Sequence, residues 1–257
     1  MSFDAAATAA AILDTRRAGR LLSAPASGAP ANEEEGAAAQ LALARLMGAD
    51  PPTGFKIGVT GRRMQALLGL PGPAAGFMHG PLHESGARLD FAGLRRPGLE
   101  CEIVLRLGRD LPPGACPPGQ ARAAIGAMMA GIEIVENRYE DFTRIGYPML
   151  IADQVFHAGA VIGAEGADPA GLDLRALRGR IHINGALADE GLGAELLGDP
   201  INCLAWLAAS PVAAAFGGLR AGQTIMLGSV TPVIWLDGPA EAVVSFPPLP
   251  EVRVTLA

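Results

Sequence analysis

The sequence predicts an α+β protein, with helices in its first 72 residues and mostly strands in residues 73–257. Two segments favour the helical part. An alanine-rich stretch from Phe3 to Arg20 spaces its apolar residues along one helix stripe, and a second helix begins at Asn32, a typical N-cap, and runs to Gly48. From Leu99 onward, short runs of alternating or continuous apolar residues are typical of strands.

Composition excludes several classes of function. A chain of 257 residues can bury a substantial core in one large domain. The longest apolar runs are too short to cross a bilayer and no basic leader precedes an apolar segment, so we expect a cytoplasmic protein that does not bind membranes. A formal charge of -6 without a basic run argues against nucleic acid as a partner. Three cysteines without metal-site spacing indicate neither a disulfide framework nor a zinc site.

Lys56 is the only lysine among the 20 basic residues of the chain. A coding bias toward arginine explains the other basic residues, but it does not explain why one lysine remains. A compact ammonium group suits proton transfer, whereas a guanidinium cannot replace it in that role. Lys56 lies in a predicted strand, Phe55–Val59, where alternation turns it away from Phe55 and Ile57.

The segments on either side of this strand complete the first part of the chain. Gln40 of the second helix is as consistent with an exposed position as with a contact to a site. After the strand, we predict a helix over Gly61–Leu68 that Thr60 can cap. The segment from Pro71 to Gly86 is rich in proline and glycine and is predicted to be an irregular connection.

The predicted strand Leu99–Leu107 carries the first candidate metal ligands. Its odd-numbered residues form one apolar face, while Glu100 and Glu102 emerge side by side on the other. Two carboxylates on one face repel each other. Two interpretations remain open: both side chains point into water, or a divalent cation such as Mg²⁺ or Mn²⁺ lies between them.

Glu133 extends this pattern to a second strand. We predict a helix over Gln120–Met129 and a strand over Ala130–Tyr139, which form a crossover unit with the previous strand and place both strands in one sheet. Alternation sets Glu133 on the face opposite to Ile132 and Ile134, in a strand where an unpaired charge is costly. A cation shared with the two glutamates of the previous strand would neutralise it.

The last hundred residues are predicted to be mostly strands. Ser229 and Thr231 lie in a turn of small residues that either presents hydroxyls and amides to an anion or is a plain turn. No glycine-rich nucleotide fingerprint is present. The other predicted elements are a strand over Asp153–Gly163, a helical turn at Asp173–Leu177, a hairpin at Asn184–Gly185, a helix over Pro200–Ala209, and strands over Gly222–Leu227, Val233–Leu236, Ala242–Phe246 and Val252–Leu256.

Several segments together resemble one family, and they occur in the family's order and with similar gaps. They are Gly54–Gly58 (GFKIG), Glu100–Glu102 (ECE), Gly131–Arg138 (GIEIVENR), Asp153–Gly163, Asn202–Trp206 and Ala221–Ser229. On these segments the chain resembles the 2-keto-4-pentenoate hydratase branch of the fumarylacetoacetate hydrolase superfamily. Any one of them is a weak signal, whereas the set is fairly specific.

The resemblance implies a fold of mixed strands rolled into an open, barrel-like core with N-terminal helices packed on it. It implies a single catalytic domain over residues 1–257 and a homo-oligomer. Glu100, Glu102 and Glu133 are the implied ligands of Mg²⁺ or Mn²⁺, and Lys56 is the implied active-site lysine. The implied reaction, in catabolism of aromatic compounds, ketonises a small 2-hydroxy-2,4-dienoate and adds water to give a 4-hydroxy-2-oxo acid.

The resemblance leaves the roles of several other residues open. Lys56 is the leading candidate for an acid or base. Arg138 either binds substrate or is a structural partner of Asp141 or Glu136. The turn that contains Ser229 and Thr231 either holds the substrate carboxylate or has no direct role.

Two departures from the family's pattern widen the choice of reaction. The loop over residues 73–81 lacks the acidic residue that related hydratases usually carry, and Phe156 and His157 stand where small polar residues are usual. His157 is predicted to substitute as an acid or base, with a space-filling buried histidine as the alternative. Decarboxylation of a vinylogous 2-oxo acid and carbon-carbon hydrolysis of an acylpyruvate are the alternative reactions. A catalytically silent partner subunit is a hypothesis from another class.

Overall fold

The computed structural model describes residues 3–23, 28–166 and 171–257. Within these ranges, the α-helices are α1 (Ala5–Arg17), α2 (Glu33–Leu46), α3 (Arg62–Leu68), α4 (Pro118–Ala123), α5 (Tyr147–Ala152), α6 (Pro200–Ala209) and α7 (Pro211–Ala215). The strands are β1 (Gly54–Gly58), β2 (Ala74–Met78), β3 (His83–Glu84), β4 (Ala87–Leu89), β5 (Pro97–Leu107), β6 (Ile125–Glu136), β7 (His157–Ile162), β8 (Arg178–Ile183), β9 (Ala186–Leu192), β10 (Thr224–Ser229), β11 (Ile234–Trp235), β12 (Ala240–Ser245) and β13 (Val252–Leu256).

The strands form two mixed sheets. The larger has the order β2-β1-β10-β5-β6-β7-β3, with β11 paired to β5, and the smaller has the order β4-β13-β12-β8-β9. Strands β12 and β13 lie against β6, which places the smaller sheet on the middle of the larger one. Among the described residues the larger sheet does not close on itself, which confirms the predicted α+β class with an open core. No described helix is both long and apolar enough to span a bilayer.

The N-terminal helices pack against this core through α2. The Asn32 side chain caps α2 by accepting a hydrogen bond from the Glu35 amide at 2.9 Å, as predicted. Gln40 is fully buried, and its side chain donates to the Ala75 carbonyl and accepts from the Phe77 amide, both at 2.9 Å. These bonds connect α2 to β2, so Gln40 is a buried structural contact and not an exposed helix residue.

Two local predictions in the first part of the chain are wrong. The segment 71–86 is not an irregular connection, because it contains β2, which pairs with β1 in antiparallel orientation. All five residues of β2 are buried, so the strand has no polar face and no alternating pattern by which to recognise it. Thr60 does not cap α3, whose N-cap is Gly61 and has no side-chain hydrogen bond.

The predicted crossover between β5 and β6 is also wrong. The helix α4 ends at Ala123, and residues 125–129, predicted to be helical, begin β6. The two strands are neighbours in one sheet, as predicted, but they are antiparallel and joined by residues 108–124, which include α4. The apolar run Ala127–Ala130 is compatible with a buried strand as well as with a helix, and periodicity alone does not separate the two.

Before β7 the backbone makes a turn that few residues adopt. Gln154, Val155 and Phe156 have φ values of 61°, 52° and 67°, which lie in the left-handed region. Each such residue other than glycine costs on the order of 1 kcal/mol or more, and the penalty is larger for a β-branched residue such as Val155. We call Gln154–Phe156 the left-handed turn.

A buried ionic network holds the left-handed turn in place. Asp153 accepts hydrogen bonds from Arg16 of α1 at 2.9 Å and from Arg138 after β6 at 3.3 Å, and Arg16 also donates to the Gln154 side chain at 2.7 Å. Burial would raise the pKa of Asp153, but the two guanidinium groups outweigh it and hold that pKa below its ordinary value. The carboxylate is therefore the charged centre that links α1 to the turn.

We expect Asp153→Asn to lower the free energy of unfolding at pH 7 by about 3 to 5 kcal/mol, because it removes the charge between two buried guanidinium groups and leaves Arg138 with Glu136 alone at 3.4 Å. Since the folded pKa is depressed, this stabilisation is present above the unfolded value of about 3.9 and disappears as the pH falls through the folded value. Urea denaturation between pH 7 and pH 3 measures both effects.

The matched control is Glu251→Gln, which breaks an exposed ion pair with Arg253 and is expected to cost less than about 1 kcal/mol. Equal stabilities for Asp153→Asn and the control at pH 7 would contradict a structural role for the network.

Candidate metal centre and cavity

Three glutamates from the two central strands meet on one face of the larger sheet. Glu100 and Glu102 lie on β5, and Glu133 lies on β6 directly opposite Glu100 in the antiparallel register. Each offers a carboxylate oxygen, and these oxygens lie within 4.8 Å of one another. Glu102 and Glu133 are fully buried, while Glu100 is partly exposed to a cavity. Alternation along each strand produces this arrangement.

Hydrogen bonds orient two of the carboxylates but do not satisfy them. One oxygen of Glu102 accepts from the Gly228 amide at 2.9 Å. One oxygen of Glu133 lies 3.1 Å from Lys56 Nζ and 2.8 Å from His157 Nδ1. The second oxygen of each, Glu102 Oε1 and Glu133 Oε2, is buried and has no hydrogen-bond partner among the described residues. Buried carboxylate oxygens without a partner are costly, which indicates that a bound group completes the site.

The pKa values of the three glutamates differ because their surroundings differ in charge and burial. Although burial opposes it, the Lys56 ammonium and the hydrogen bond from His157 lower the pKa of Glu133 to about 2. Burial and repulsion from Glu133 raise the pKa of Glu100 to about 8, and the same two causes raise that of Glu102. Burial lowers the pKa of His157, so the imidazole is neutral at pH 7 and donates from Nδ1 to the ionised Glu133.

A divalent cation fits this arrangement. Carboxylates must be ionised to bind a cation, and three ionised carboxylates with one ammonium would carry a net charge of minus two, which a divalent cation cancels. Clustered carboxylate oxygens are the ligands that hard cations such as Mg²⁺ and Mn²⁺ prefer. Glu100, Glu102 and Glu133 are therefore the residues that can hold such an ion, and the two unsatisfied oxygens belong to two of them.

A cavity of about 320 Å³ opens beside the glutamates. Its polar lining consists of Lys56, Glu100, Thr60, Ser229 and Thr231. The other lining side chains are mostly apolar, and they include Phe142, Val155, Phe156 and Trp235. This volume is at the lower end of the range for small-molecule sites, so the cavity suits a compact ligand.

The structure does not bring all the predicted site residues to the cavity. Arg138 and His157 are buried and are not among the described residues that line it. Arg138 contacts Glu136 at 3.4 Å and Asp153 at 3.3 Å, and it donates to the His157 carbonyl at 2.9 Å. His157 contacts the Glu133 carboxylate through Nδ1 and does not reach the cavity. Of the two partners expected for Arg138, Glu136 is therefore in contact, and Asp153 takes the place expected for Asp141.

Sequence reasoning missed two contributions to the site. The Gly228 amide binds Glu102, and the left-handed turn supplies Val155 and Phe156 to the cavity wall. The contribution of the Gly228 amide could have been predicted, because Gly228 belongs to the small-residue turn that contains Ser229. The left-handed turn contains no glycine or asparagine, so no local signal marks it.

We expect Mg²⁺ or Mn²⁺ to raise the thermal midpoint of the wild-type protein, since a ligand at a hundred times its Kd adds about 2.7 kcal/mol of stability. Glu102→Gln removes one ligand and should weaken the affinity for the cation by at least about tenfold. Without cations this variant should be no less stable than the wild type, because it relieves repulsion between the carboxylates. Thermal melts across a cation titration test all three expectations.

Glu190→Gln is the control, because Glu190 is an exposed residue of the smaller sheet paired with Arg178 and Arg180. An equal response of Glu102→Gln and the wild type to added cation would exclude the three glutamates as a metal site.

Comparisons with known proteins identify a family and several relatives. Residues 83–256 match the family described as Fumarylacetoacetate (FAA) hydrolase C-terminal. The chain is 35% identical over 185 residues to the 2-hydroxyhexa-2,4-dienoate hydratase of Comamonas testosteroni, covering 70% of this chain and 69% of that protein. It is 33% identical over 185 residues to a 4-oxalocrotonate decarboxylase of a Pseudomonas species, covering 71% of this chain and 70% of that one.

A solved structure shares the fold over almost the whole chain. The 4-oxalocrotonate decarboxylase of Pseudomonas putida G7, complexed with magnesium and adipate, superimposes with a TM-score of 0.88 at 24% identity and covers 98% of this chain and 97% of that chain. The family match over the strand-rich part and the identity to two curated relatives lead to one conclusion: the chain belongs to the fumarylacetoacetate hydrolase superfamily.

Proposed function

We propose that this chain is a divalent-metal-dependent hydratase that adds water to a 2-hydroxy-2,4-dienoate and forms a 4-hydroxy-2-oxo acid. The observation that carries the proposal is the cluster of Glu100, Glu102 and Glu133, with Lys56 beside it at a cavity. The hydratases among the relatives support the choice of reaction. A silent partner subunit would have no need to maintain this costly cluster of buried charges.

The three glutamates hold the cation, and Mg²⁺ or Mn²⁺ is the best fit to their oxygens. When bound, the ion polarises the carboxylate and the 2-oxygen of the substrate and stabilises the negative charge that develops on that oxygen. The Gly228 amide and the His157 imidazole fix the orientation of the Glu102 and Glu133 carboxylates. His157 is thus a positioning residue, because it reaches Glu133 and not the cavity.

Lys56 is the group that moves protons at the carbon chain of the substrate. Its ammonium lines the cavity and is 3.1 Å from Glu133, so it lies beside the reacting end of a ligand bound to the cation that the glutamates would hold. In ketonisation the 2-hydroxyl loses a proton and C5 gains one. Water then adds its oxygen to C4 and a proton to C3. Lys56 delivers and accepts protons in these steps, which a buried side chain shielded from bulk water can do selectively.

Ser229 and Thr231 bind the substrate carboxylate beside the metal centre, because Ser229 lies opposite Glu102 in the strand register and both side chains line the cavity. Ser229 Oγ accepts hydrogen bonds from the Cys101 amide at 3.1 Å and from the Thr231 amide at 3.3 Å. Its own hydrogen reaches the Cys101 carbonyl at 3.4 Å or the Thr231 hydroxyl at 3.3 Å, both long contacts, so a substrate oxygen can compete for it. Arg138, engaged with Asp153, holds the left-handed turn and does not bind substrate.

Residues 1–257 act as one catalytic unit in this proposal. The strand β1, which carries Lys56, lies within the first 72 residues and pairs in parallel with β10 of the strand-rich part. The site is therefore complete only when both parts of the chain are present. The homo-oligomer implied by the family resemblance stays a prediction.

We expect Lys56→Met to lower the kcat of dienoate hydration by at least about 100-fold, because it removes the proton donor without filling the cavity. Cation affinity should persist, since all three glutamates remain. The loss of dienol absorbance, with product identified by mass, measures the reaction. Arg45→Met, which removes an exposed cation of α2, is the control. Release of carbon dioxide from 4-oxalocrotonate, without hydration of the dienoate, would instead assign the decarboxylation for which other relatives are named.

His157→Asn and His157→Leu distinguish positioning from proton transfer. Asparagine places an amide donor near the position of Nδ1, so we expect His157→Asn to retain cation affinity and hydration within a few-fold. Leucine removes the donor to Glu133, so cation affinity should fall about 10- to 100-fold. Calorimetric titration with Mn²⁺ and a pH profile of kcat are the measurements. Complete loss of activity in His157→Asn, with cation affinity intact, would make His157 an acid or base.

A further inference from the structure

The part of the cavity beyond the glutamates has no polar lining that could pair with a charge. Among the described lining residues, Lys56 supplies the cationic side chain, and Glu133 already binds it. Beyond the glutamates and apart from the hydroxyl groups of Thr60, Ser229 and Thr231, the remaining lining side chains are apolar. Six of them define this apolar end: Val59, Met64, Val135, Phe142, Phe156 and Trp235.

The strand register shows where the apolar end lies relative to the metal centre. Val135 follows Glu133 by two residues on the same face of β6, which places it roughly 7 Å further along the strand. Trp235 of β11 pairs opposite Gly98, which precedes Glu100 by two residues on β5. A ligand whose oxygens are bound by the cation at the glutamates therefore extends its carbon chain toward Val135 and Trp235.

Two phenylalanines, Phe142 and Phe156, form the outer wall of the apolar end. The rings of Phe142 and Phe156 contact each other edge to face, with centroids 6.2 Å apart. Both line the cavity and also a neighbouring one of about 110 Å³, so the pair separates the two cavities. Phe156 is held by the left-handed turn and by the Tyr139 ring, whose centroid is 5.0 Å from its own. The position of this wall is therefore fixed by the fold.

We propose that the apolar end is a subsite for an uncharged hydrocarbon tail, so that the preferred substrate is a 2-hydroxy-2,4-dienoate with a short alkyl tail and not one with a terminal carboxylate. The identity of the reacting end rests on the proposed function. A terminal carboxylate in this subsite would lose its hydration and gain no cation, whereas an alkyl tail would bury apolar surface against the phenylalanines and Trp235.

Two saturated 2-oxo acids of equal length test the proposal by affinity. They are 2-oxohexanoate, which ends in a methyl group, and 2-oxoadipate, which ends in a carboxylate. With saturating Mg²⁺, calorimetry should show that 2-oxohexanoate binds at least about tenfold more tightly. Equal or tighter binding of 2-oxoadipate would overturn the proposal. Because neither compound has the double bond that hydration requires, failure of dienoate hydration would reject the proposed function without changing this result.

Phe142→Arg tests the location of the subsite. Phe142 is 37% exposed, so a guanidinium can be accommodated at this end of the cavity. The preference for 2-oxohexanoate over 2-oxoadipate should fall by about tenfold or reverse, because the terminal carboxylate gains a partner. Leu187→Arg, at a 53% exposed position of β9 in the smaller sheet, is the control and should keep the wild-type preference. An unchanged preference in Phe142→Arg would overturn the assignment of Phe142 to the tail.

Phe142→Ala tests the limit on tail length independently of charge. Removing the ring joins the two cavities, so the affinity for 4-phenyl-2-oxobutanoate should rise by about tenfold relative to 2-oxohexanoate. The same relative affinity in the wild type and the variant would contradict a wall formed by the phenylalanine pair.

Discussion

The rest of the structure depends on the burial of three carboxyl groups on two adjacent strands, all of which must ionise to hold a cation. The antiparallel register of β5 and β6 places Glu100 opposite Glu133, and Glu102 is on the same face. Only one ammonium and a few hydrogen-bond donors surround them, so the protein alone does not balance the charge. The opposite faces of these strands are buried and apolar. Their packing offsets the free-energy cost of burying carboxyl groups on the other face of the sheet.

The N-terminal helices take part in shaping the cavity as well as in packing the core. Arg16 of α1 binds Asp153 and Gln154, and the left-handed turn that follows supplies Val155 and Phe156 to the cavity wall. A strained backbone of this kind persists only where its surroundings fix it from several sides. Helix α1 thus determines the shape of a wall that is formed by residues more than a hundred positions later in the chain.

The sequence predicted those features that depend on local periodicity. Alternation was sufficient to place Glu100 and Glu102 on one face and to turn Lys56 away from Phe55, because the two-residue period of a strand is a local property. The same reasoning missed β2, which is buried on both faces. It also assigned residues 125–129 to a helix, although they belong to β6. It did not find Asp153 as the partner of Arg138 and Arg16, since a pairing between distant segments leaves no mark on the local pattern.

The pairing of β5 with β6 limits where the chain can accept insertions and deletions. A deletion of one residue in the middle of β5 would shift half of the strand by one position and turn the affected glutamate toward the side now occupied by Cys101 and Ile103. The part of the connection over residues 112–117 can absorb insertions, because it lies at the surface beyond the buried Leu111, which pairs with Leu219. Length variation among natural variants should therefore concentrate in that connection, while the eleven residues of β5 keep their spacing.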